Sequence, residues 1–361
     1  MPGVVTHSRV IHESIELLKG RKKKSFLLRS LLALFNSKEF LRAAMFGALG
    51  PNIFDFYRYR KSSSPFGSDI SFFLHDGGSH ALLQAMIEEV LSYRDKNNEW
   101  AAFQRAYLYG FISHIMGDAF YHPFIFYFSG FPDSGAKEEQ RLYREQNLLF
   151  QYNIDNYYLY YAEPRTDFSL DDMLPVSGGR SSLLNQSIKS LIINSVKKSY
   201  PEFINHLKIP VINRKSADIT PEKYNALDVI PHVIKAVYTL KFTGNRKLKD
   251  ILRDLRKYPF LFSDYLVCYP EKRFINRHVL NLHAERWQYP VERPGVFYDS
   301  VDSLMKNCCE KTVSLWEKIE AGLYGAADLS VLGDLDINAY TGGVKAGYFE
   351  MKNKSPVRIR Y

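Results

Sequence analysis

The chain has 361 residues, of which 46% are hydrophobic and 15% aromatic, so it can bury a sizeable core and does not have the composition of a disordered protein. Its formal net charge of +9 favours anionic partners such as phosphate esters, acidic lipid or nucleic acid, without choosing among them. The three cysteines, Cys268, Cys308 and Cys309, have neither the even count of a disulfide framework nor the CxxC spacing of a structural zinc site.

The location of the protein is predicted from three features of the sequence. The cysteine content favours a reducing compartment. The N-terminal sequence MPGVVTHSRVIHES has no apolar segment followed by a cleavage site, so no signal peptide is predicted. No run of apolar residues is long enough for a transmembrane helix. We therefore expect a cytoplasmic protein, and peripheral contact with a membrane is compatible with this expectation.

Apolar residues recur with helical spacing through most of the chain, and the alternation typical of strands is almost absent. The sequence therefore predicts an all-α fold. Taken in chain order, the predicted helices cover residues 7–19, 25–36, 38–48, 79–94, 98–121, 137–161, 182–207, 221–242, 246–257 and 297–323. Residues 62–69 are predicted as a loop, and residues 129–136 as a turn-rich break.

A change in composition marks one internal boundary. Residues 162–181 are rich in Pro, Gly, Asp and Ser and lack clear periodicity. We accordingly predict a helical domain over 1–162, a linker over 163–181, a helical C-terminal region over 182–323 and an irregular tail over 324–361.

The most informative stretch lies within the predicted helix 98–121 and just beyond it. His114, Asp118 and His122 recur every four residues, so on a helix they point within about 80° of one another. A carboxylate between two imidazoles suits a divalent transition metal, and an aspartate can bridge two ions. Such polar groups are costly in an apolar helix unless something satisfies them. Because Pro123 disfavours α geometry at the preceding residue, we expect His122 at a helix end.

Six of the ten histidines fall in the first 122 residues, which is the clustering that a metal site assembled from several helices needs. His12 is assigned instead to a helix surface. The histidines at positions 206, 232 and 278 have no acidic or histidine partner at ligand spacing and are interpreted as structural. The patch that contains His283 and Trp287 is interpreted as a seal between two helical halves, with a position facing the cleft as the alternative.

Four short motifs occur in a fixed order along the chain. They are Thr6-His7, Gly50-Pro51-Asn52, Leu74-His75 and the run His114-x3-Asp118-x3-His122-Pro123. This order resembles the zinc-dependent phospholipase C family, which shares an all-helical fold with the S1/P1 nucleases. The resemblance is closest to the bacterial branch known as phospholipase C/D domain proteins. It covers most of the chain, including a later patch over residues 281–290, and its ligand-bearing part lies in residues 1–160.

The resemblance implies an aspartate that bridges two zinc ions, with a third zinc nearby. His114 and Asp118 match the ligands of the first zinc. His75 matches the family's ligand histidine from the middle of the domain, with His80 as its rival. His7 matches the N-terminal histidine of the second zinc, which Asp118 would bridge.

The N-terminus itself is a further candidate ligand. In processed members of the family, the terminal amine binds this second zinc from five residues before the histidine. Removal of Met1 would place the amine of Pro2 at that distance from His7.

The sequence departs from the family pattern at several ligand positions. Asn52 stands where the family has an aspartate, and Asp55 is predicted either to replace it as a ligand or to act as a general base. His122 would share the third zinc with a downstream histidine and glutamate, but those positions fall on Asn147 and Gln151, which are poor zinc ligands. The third site is therefore expected to be incomplete, to hold another metal or to be empty.

The expected activity follows from the chemistry of paired zinc ions, which generate hydroxide from water and neutralise charge on a phosphodiester. The resemblance implies a zinc-dependent hydrolase of phospholipase C/D type, acting on a phospholipid or another phosphodiester, with nucleic acid less favoured. One alternative is a catalytically impaired relative that binds lipid or a partner protein. Another is a phosphohydrolase of the HD type built on His75 and Asp76, although Gly77 and Gly78 argue against a helix continuing there.

Overall fold

The protein is described here from a computed structural model. The residues that it describes are 3–21, 25–56, 67–131, 137–175, 184–207, 211–212, 219–220, 226–255, 267–271, 275–290, 296–326 and 337–343. Within these ranges the fold is mainly helical, which confirms the predicted all-α class. Length and hydropathy sufficient to cross a bilayer are not combined in any helix of this part of the chain.

Eleven α-helices lie in the described residues. They are α1 (Val4–Lys19), α2 (Phe26–Asn36), α3 (Lys38–Gly47), α4 (Gly67–Phe73), α5 (Ser79–Ser92), α6 (Glu99–Ser129), α7 (Lys137–Tyr160), α8 (Gln186–Ser199), α9 (Ala226–Lys241), α10 (Arg246–Leu255) and α11 (Val301–Leu323). Short 3₁₀ turns cover Gly50–Phe56, Leu170–Met173, Pro201–Leu207 and Arg277–Leu280, and Leu74–Gly78 forms a π-helical turn. Two strands, β1 (Val211–Ile212) and β2 (Ile219–Thr220), pair antiparallel.

Most helix positions agree with the sequence prediction to within a few residues. The predicted loop over 62–69 is wrong at its C-terminal end, because α4 begins at Gly67, and residues 62–66 lie outside the described part of the chain. The start of the predicted helix 221–242 also lies outside it, and α9 begins at Ala226. In the predicted irregular tail, the described residues 337–343 form turns without a helix or strand.

Helix α6 lies at the centre of the molecule, and nearly all of its side chains are buried. Its N-terminus is capped by Asn98, whose side-chain oxygen accepts from the Ala101 N–H at 2.9 Å. Helices α1, α3, α5, α7, α8 and α11 pack around it. One continuous hydrophobic core contains buried residues from Val4 to Ala339, so the described parts of the predicted N-terminal domain and C-terminal region share it. The domain boundaries at 163–181 stay a prediction.

The expectation that His122 ends a helix is wrong, because α6 continues through Pro123 to Ser129. A proline inside a helix removes one hydrogen bond and normally costs about 3 kcal/mol. Here the carbonyl of Ala119 loses its helical partner, and the chain around Gly342 packs directly against that carbonyl. A Cβ atom on Gly342, which has φ +65°, would lie 2.5 Å from the Ala119 oxygen. Tertiary packing around the C-terminal half of α6 therefore overrides the local preference.

Helices α3 and α6 approach each other through two glycines. A Cβ atom on Gly110 would lie 1.9 Å from the carbonyl oxygen of Ala44, and one on Gly47 would lie 2.2 Å from that of Tyr107. Both are far inside van der Waals contact, so only glycine allows this backbone separation. The close approach matters because His114 follows Gly110 by one helical turn.

We predict that Gly110→Ala lowers the free energy of unfolding by about 1–3 kcal/mol, because the added methyl group forces the two backbones apart. Thermal unfolding followed by circular dichroism measures the effect. The control is Gly244→Ala, since a Cβ atom there meets nothing within 4 Å. Equal melting temperatures for the two variants would contradict the packing argument.

Candidate metal centre

Five side chains from three elements converge beside α6. His7 comes from the first turns of α1, His75 from the π-helical turn, and His114, Asp118 and His122 from successive turns of α6. His7 is 2% exposed and the other four are 0% exposed. The five residues, each predicted from the sequence as a metal ligand, therefore lie together in one buried group.

Two histidines face the same oxygen of the Asp118 carboxylate. The Nε2 atoms of His75 and His114 each lie 3.0 Å from Oδ2, and they lie 3.1 Å from each other. Three donor atoms thus form a nearly equilateral triangle. Ligands of a tetrahedral zinc ion, with bonds of about 2.0–2.1 Å, are separated by about 3.3 Å, which is close to this spacing.

The other oxygen of Asp118 faces a second pair of imidazoles. The Nε2 atom of His7 lies 3.3 Å from Oδ1, and that of His122 lies 3.8 Å from it. The rings of His7 and His114 stack with centroids 4.1 Å apart, so an imidazole on the Oδ1 side packs directly against one on the Oδ2 side. His7, His114 and Asp118 offer ligand atoms that all lie within 4.8 Å of one another, so this group can hold a metal ion.

Backbone carbonyls orient three of the imidazoles. The Nδ1 atoms of His75, His114 and His122 lie 2.6, 2.8 and 2.7 Å from the carbonyl oxygens of Ser71, Ala48 and Ala339, respectively. A carbonyl oxygen only accepts, so each Nδ1 carries the proton. In the neutral ring, Nε2 then presents a lone pair towards Asp118, which is the arrangement that metal-binding histidines usually have.

Hydrogen-bond acceptors consequently face one another inside the protein. Both oxygens of Asp118, the Nε2 of His122 and both ring nitrogens of His7 are buried without a hydrogen-bond partner in the described residues. Such groups are costly unless a cation lies between them. Either protons on the imidazoles or a metal ion can supply the positive charge.

For His7 and His122, the pKa values argue against protonated imidazoles at neutral pH. Burial, followed by repulsion from His114, lowers the pKa of His7 to about 4. Burial also holds the pKa of His122 well below its ordinary value, although Asp118 opposes that shift. Burial alone would raise the pKa of Asp118, but the neighbouring imidazoles of His114, His122 and His7 hold it well below its usual range. A metal ion would supply the positive charge that this carboxylate lacks, and the group formed by His7, His114 and Asp118 could hold one.

Asn52 and Asp55 share the 3₁₀ turn that follows α3. Residues three apart in such a turn lie on one face. The Oδ1 atom of Asn52 is buried without a hydrogen-bond partner among the residues that the structure describes. Asp55 is half-buried. In the same turn, a Cβ atom on Gly50 would lie 2.2 Å from the His114 ring, so this glycine lets the turn contact that ligand. The ligand and general-base assignments of Asn52 and Asp55 stay predictions.

Two amide side chains occupy the positions where the resemblance implies ligands of a third zinc, and they form a hydrogen bond with each other. Asn147 and Gln151 are both buried on α7. Gln151 donates from Nε2 to Oδ1 of Asn147 at 2.5 Å, and Asn147 donates from Nδ2 to the Ser129 hydroxyl at 3.3 Å. These amides therefore form a buried polar link between α7 and the C-terminal end of α6.

The remaining candidate residues have different surroundings. His75 is the histidine whose Nε2 lies 3.0 Å from Asp118, whereas its rival His80 is half-buried on α5. Asp76 accepts from the Asn338 amide at 2.6 Å. Trp287 is fully buried, with its ring centroid 5.5 Å from that of Phe124 on α6, whereas His283 of the same patch is exposed. Pro2 lies outside the described residues.

Sequence reasoning missed Asp155, which anchors the helix that carries His7. Its carboxylate accepts from the Val5 and Thr6 N–H groups at 3.2 and 2.8 Å, from the Thr6 hydroxyl at 2.6 Å and from the Tyr269 hydroxyl at 2.6 Å. A carboxylate at a helix N-terminus is favoured by the helix dipole. No local signal could have revealed it, because Asp155 lies on α7, about 150 residues from Thr6.

No family model matches this chain, and neither a search of curated proteins nor a search of solved structures gives a match. What the buried group can do therefore follows from its own geometry and charges.

We predict that Asp118→Asn removes bound metal from the protein, because it replaces the carboxylate between the two pairs of imidazoles by a neutral amide. Elemental analysis after gel filtration measures the metal content per chain, and His114→Ala is expected to act in the same direction. His80→Ala provides the matched control and should keep the wild-type content. Unchanged metal content in both Asp118→Asn and His114→Ala would show that the metal lies elsewhere.

We also predict that the metal-free protein loses stability as the pH falls from 6.5 to 4. In this window the unfolded chain protonates His7 at its ordinary pKa of 6.5, whereas the folded protein, with a pKa of about 4, does not. The full loss from His7 is on the order of 3 kcal/mol. Urea unfolding after chelator treatment measures it, and His7→Gln should show a shallower dependence. Parallel pH profiles for the two proteins would contradict the lowered pKa.

Proposed function

We propose that this protein is a metal-dependent phosphodiester hydrolase of phospholipase C/D type that uses zinc-activated water. One observation carries the proposal: the two oxygens of Asp118 face different imidazoles, His75 and His114 on one side and His7 and His122 on the other. This is the arrangement expected of an aspartate that bridges two metal ions.

The donor set favours zinc. Imidazole nitrogens outnumber carboxylate oxygens at the centre, whereas Mg²⁺ and Ca²⁺ prefer oxygen ligands. His75, His114 and Oδ2 of Asp118 would hold the first ion, and the unpaired Oδ1 of Asn52 supplies a further donor of suitable chemistry. His7 and Oδ1 of Asp118 would hold the second ion. His122 remains for a third ion, or as a weaker ligand of the second.

The reaction proposed for this centre is the hydrolysis of a phosphodiester. Bound zinc supplies a water of lowered pKa and positive charge for the non-bridging phosphate oxygens. Within the chain, Asp118 holds the ligand nitrogens in register, and the backbone carbonyls fix their tautomers. Asp55 is the candidate acceptor for the proton of the attacking water. The net charge of +9 favours an anionic substrate, and we propose a phospholipid ahead of nucleic acid.

A second candidate function is a helical module that binds lipid or a partner protein without catalysis. Asn147 and Gln151 favour it, because these amides stand where zinc ligands are expected and bond to each other. The burial of the centre also favours it, since Asp118 and the four histidines around it are at most 2% exposed. Metal content separates the two functions, because less than one zinc per chain after mild purification favours the binding module.

The activity test uses zinc-loaded full-length protein with phosphatidylcholine vesicles and a chromogenic phosphodiester. We predict release of a phosphorylated headgroup that stops on chelation and is lost in Asp118→Asn, whereas His80→Ala keeps the wild-type rate. If Asp55 is the general base, Asp55→Asn lowers kcat by about 10²–10⁴-fold with full zinc content, and if it is a ligand the zinc content falls as well. Zinc-loaded protein that hydrolyses neither phospholipid, nucleic acid nor the generic diester would refute the proposed activity.

A further inference from the structure

A short C-terminal segment packs against the metal centre. We call residues 337–343 the C-terminal strap. Asn338 closes it into a tight turn, because its side-chain oxygen accepts from the N–H groups of Tyr340 and Thr341 at 2.9 and 3.1 Å. The backbone of Asn338 also exchanges hydrogen bonds with Gly342 and Gly343, at 2.9 and 3.0 Å. The strap is therefore a defined turn with its own internal hydrogen bonds.

One residue of the strap connects two histidines of the centre. The carbonyl of Ala339 accepts the Nδ1–H of His122 at 2.7 Å, and the N–H of Ala339 donates to the carbonyl of His75 at 2.9 Å. Ala339 is 0% exposed. A single backbone unit thus fixes the ring of one ligand on α6 and the main chain of another on the π-helical turn.

Two side chains of the strap reinforce this connection. The ring of Tyr340 lies 5.3 Å from that of His75 and 5.1 Å from that of His122, measured between centroids. The amide of Asn338 donates to the Asp76 carboxylate, which directly follows His75, at 2.6 Å. The strap belongs to the segment that the sequence predicts as an irregular tail, and these contacts place it against the metal centre.

The hydrogen bond from His122 to the strap also determines which nitrogen of this imidazole presents its lone pair towards Asp118. The Nε2 atom of His122 is buried without a hydrogen-bond partner among the described residues, and it lies 3.8 Å from Oδ1 of Asp118. If the strap leaves, Nδ1 of His122 loses its acceptor, and nothing then fixes which ring nitrogen presents the lone pair. Hydrogen-bond partners of metal-binding histidines typically affect metal affinity by about 10–100-fold.

We infer that the C-terminal strap is a positioning element of the metal centre, so that docking of the strap and binding of metal strengthen each other. The inference rests on the metal centre of the proposed function, but not on the reaction. Because such coupling is reciprocal, a metal ion at the centre must also stabilise the docked strap by the same free energy.

The test first disrupts the hydrogen bond between Asn338 and Asp76 and then restores it with the two side chains exchanged. Asn338→Asp keeps the side-chain oxygen that closes the turn, but it sets a second carboxylate against Asp76. Combining it with Asp76→Asn restores one amide and one carboxylate with their positions exchanged. We predict that zinc leaves the single variant Asn338→Asp about 10–100-fold faster than the wild type and leaves the double variant at nearly the wild-type rate. A chromogenic chelator in excess measures the rate.

A second readout follows the strap itself. Hydrogen exchange of the peptides covering 337–343 should slow when Zn²⁺ is added to metal-free wild type and should slow less in Asn338→Asp. Ile337→Val is the matched control, because it lies in the strap and leaves these hydrogen bonds in place. Circular dichroism checks that all variants remain folded.

Each outcome has a distinct meaning. Equal zinc release from Asn338→Asp and the wild type, or strap exchange that does not respond to zinc, would overturn the inference. A wild type that binds no zinc would refute the metal centre and the inference together. Zinc-coupled strap docking in a protein without hydrolytic activity would support the inference and leave only the proposed reaction refuted.

Discussion

A buried carboxylate surrounded by four buried imidazoles is the constraint on which the rest of the structure depends. Each oxygen of Asp118 lies within 3.8 Å of two imidazole nitrogens, and burial lowers the pKa of the two imidazoles on the Oδ1 side, His7 and His122. Removing a charge from water costs several kcal/mol even after relaxation. The surrounding fold must therefore hold these polar side chains close together inside the protein, in an arrangement that could hold a metal ion.

The scaffold meets this condition by fixing the ligands from outside the centre. The carbonyls of Ser71, Ala48 and Ala339 come from three different segments, and each accepts a hydrogen bond from the Nδ1–H of one imidazole. The glycine contacts between α3 and α6 bring Ala48 within reach of His114. Asp155 fixes the first turn of α1 and with it His7. Loss of any of these supports leaves a ligand in place but free to rotate, so we expect metal affinity to depend on residues that never touch the metal.

The sequence predicted the parts of this arrangement that are local. Helical periodicity gave the class of fold, and the four-residue spacing of His114, Asp118 and His122 gave one face of α6. The prediction for Pro123 was wrong because it weighed a local steric preference without the packing of Gly342 against Ala119. The contact between His122 and Ala339 spans 217 residues, so no spacing rule could have found it. Supports of this kind depend on tertiary contacts, whereas ligands on one helix are visible in the sequence.

The two oxygens of Asp118 lie at different distances from their imidazoles, and this difference affects the order in which metal ions would bind. Around Oδ2 the three donor atoms already have nearly the separation that a tetrahedral ion needs, with distances of 3.0, 3.0 and 3.1 Å. Around Oδ1 the contacts are longer, 3.3 Å to His7 and 3.8 Å to His122. Less rearrangement accompanies binding on the Oδ2 side, so the first ion should bind there. In the proposed function, whether a second ion binds would then depend on His7 and His122, the imidazoles on the Oδ1 side.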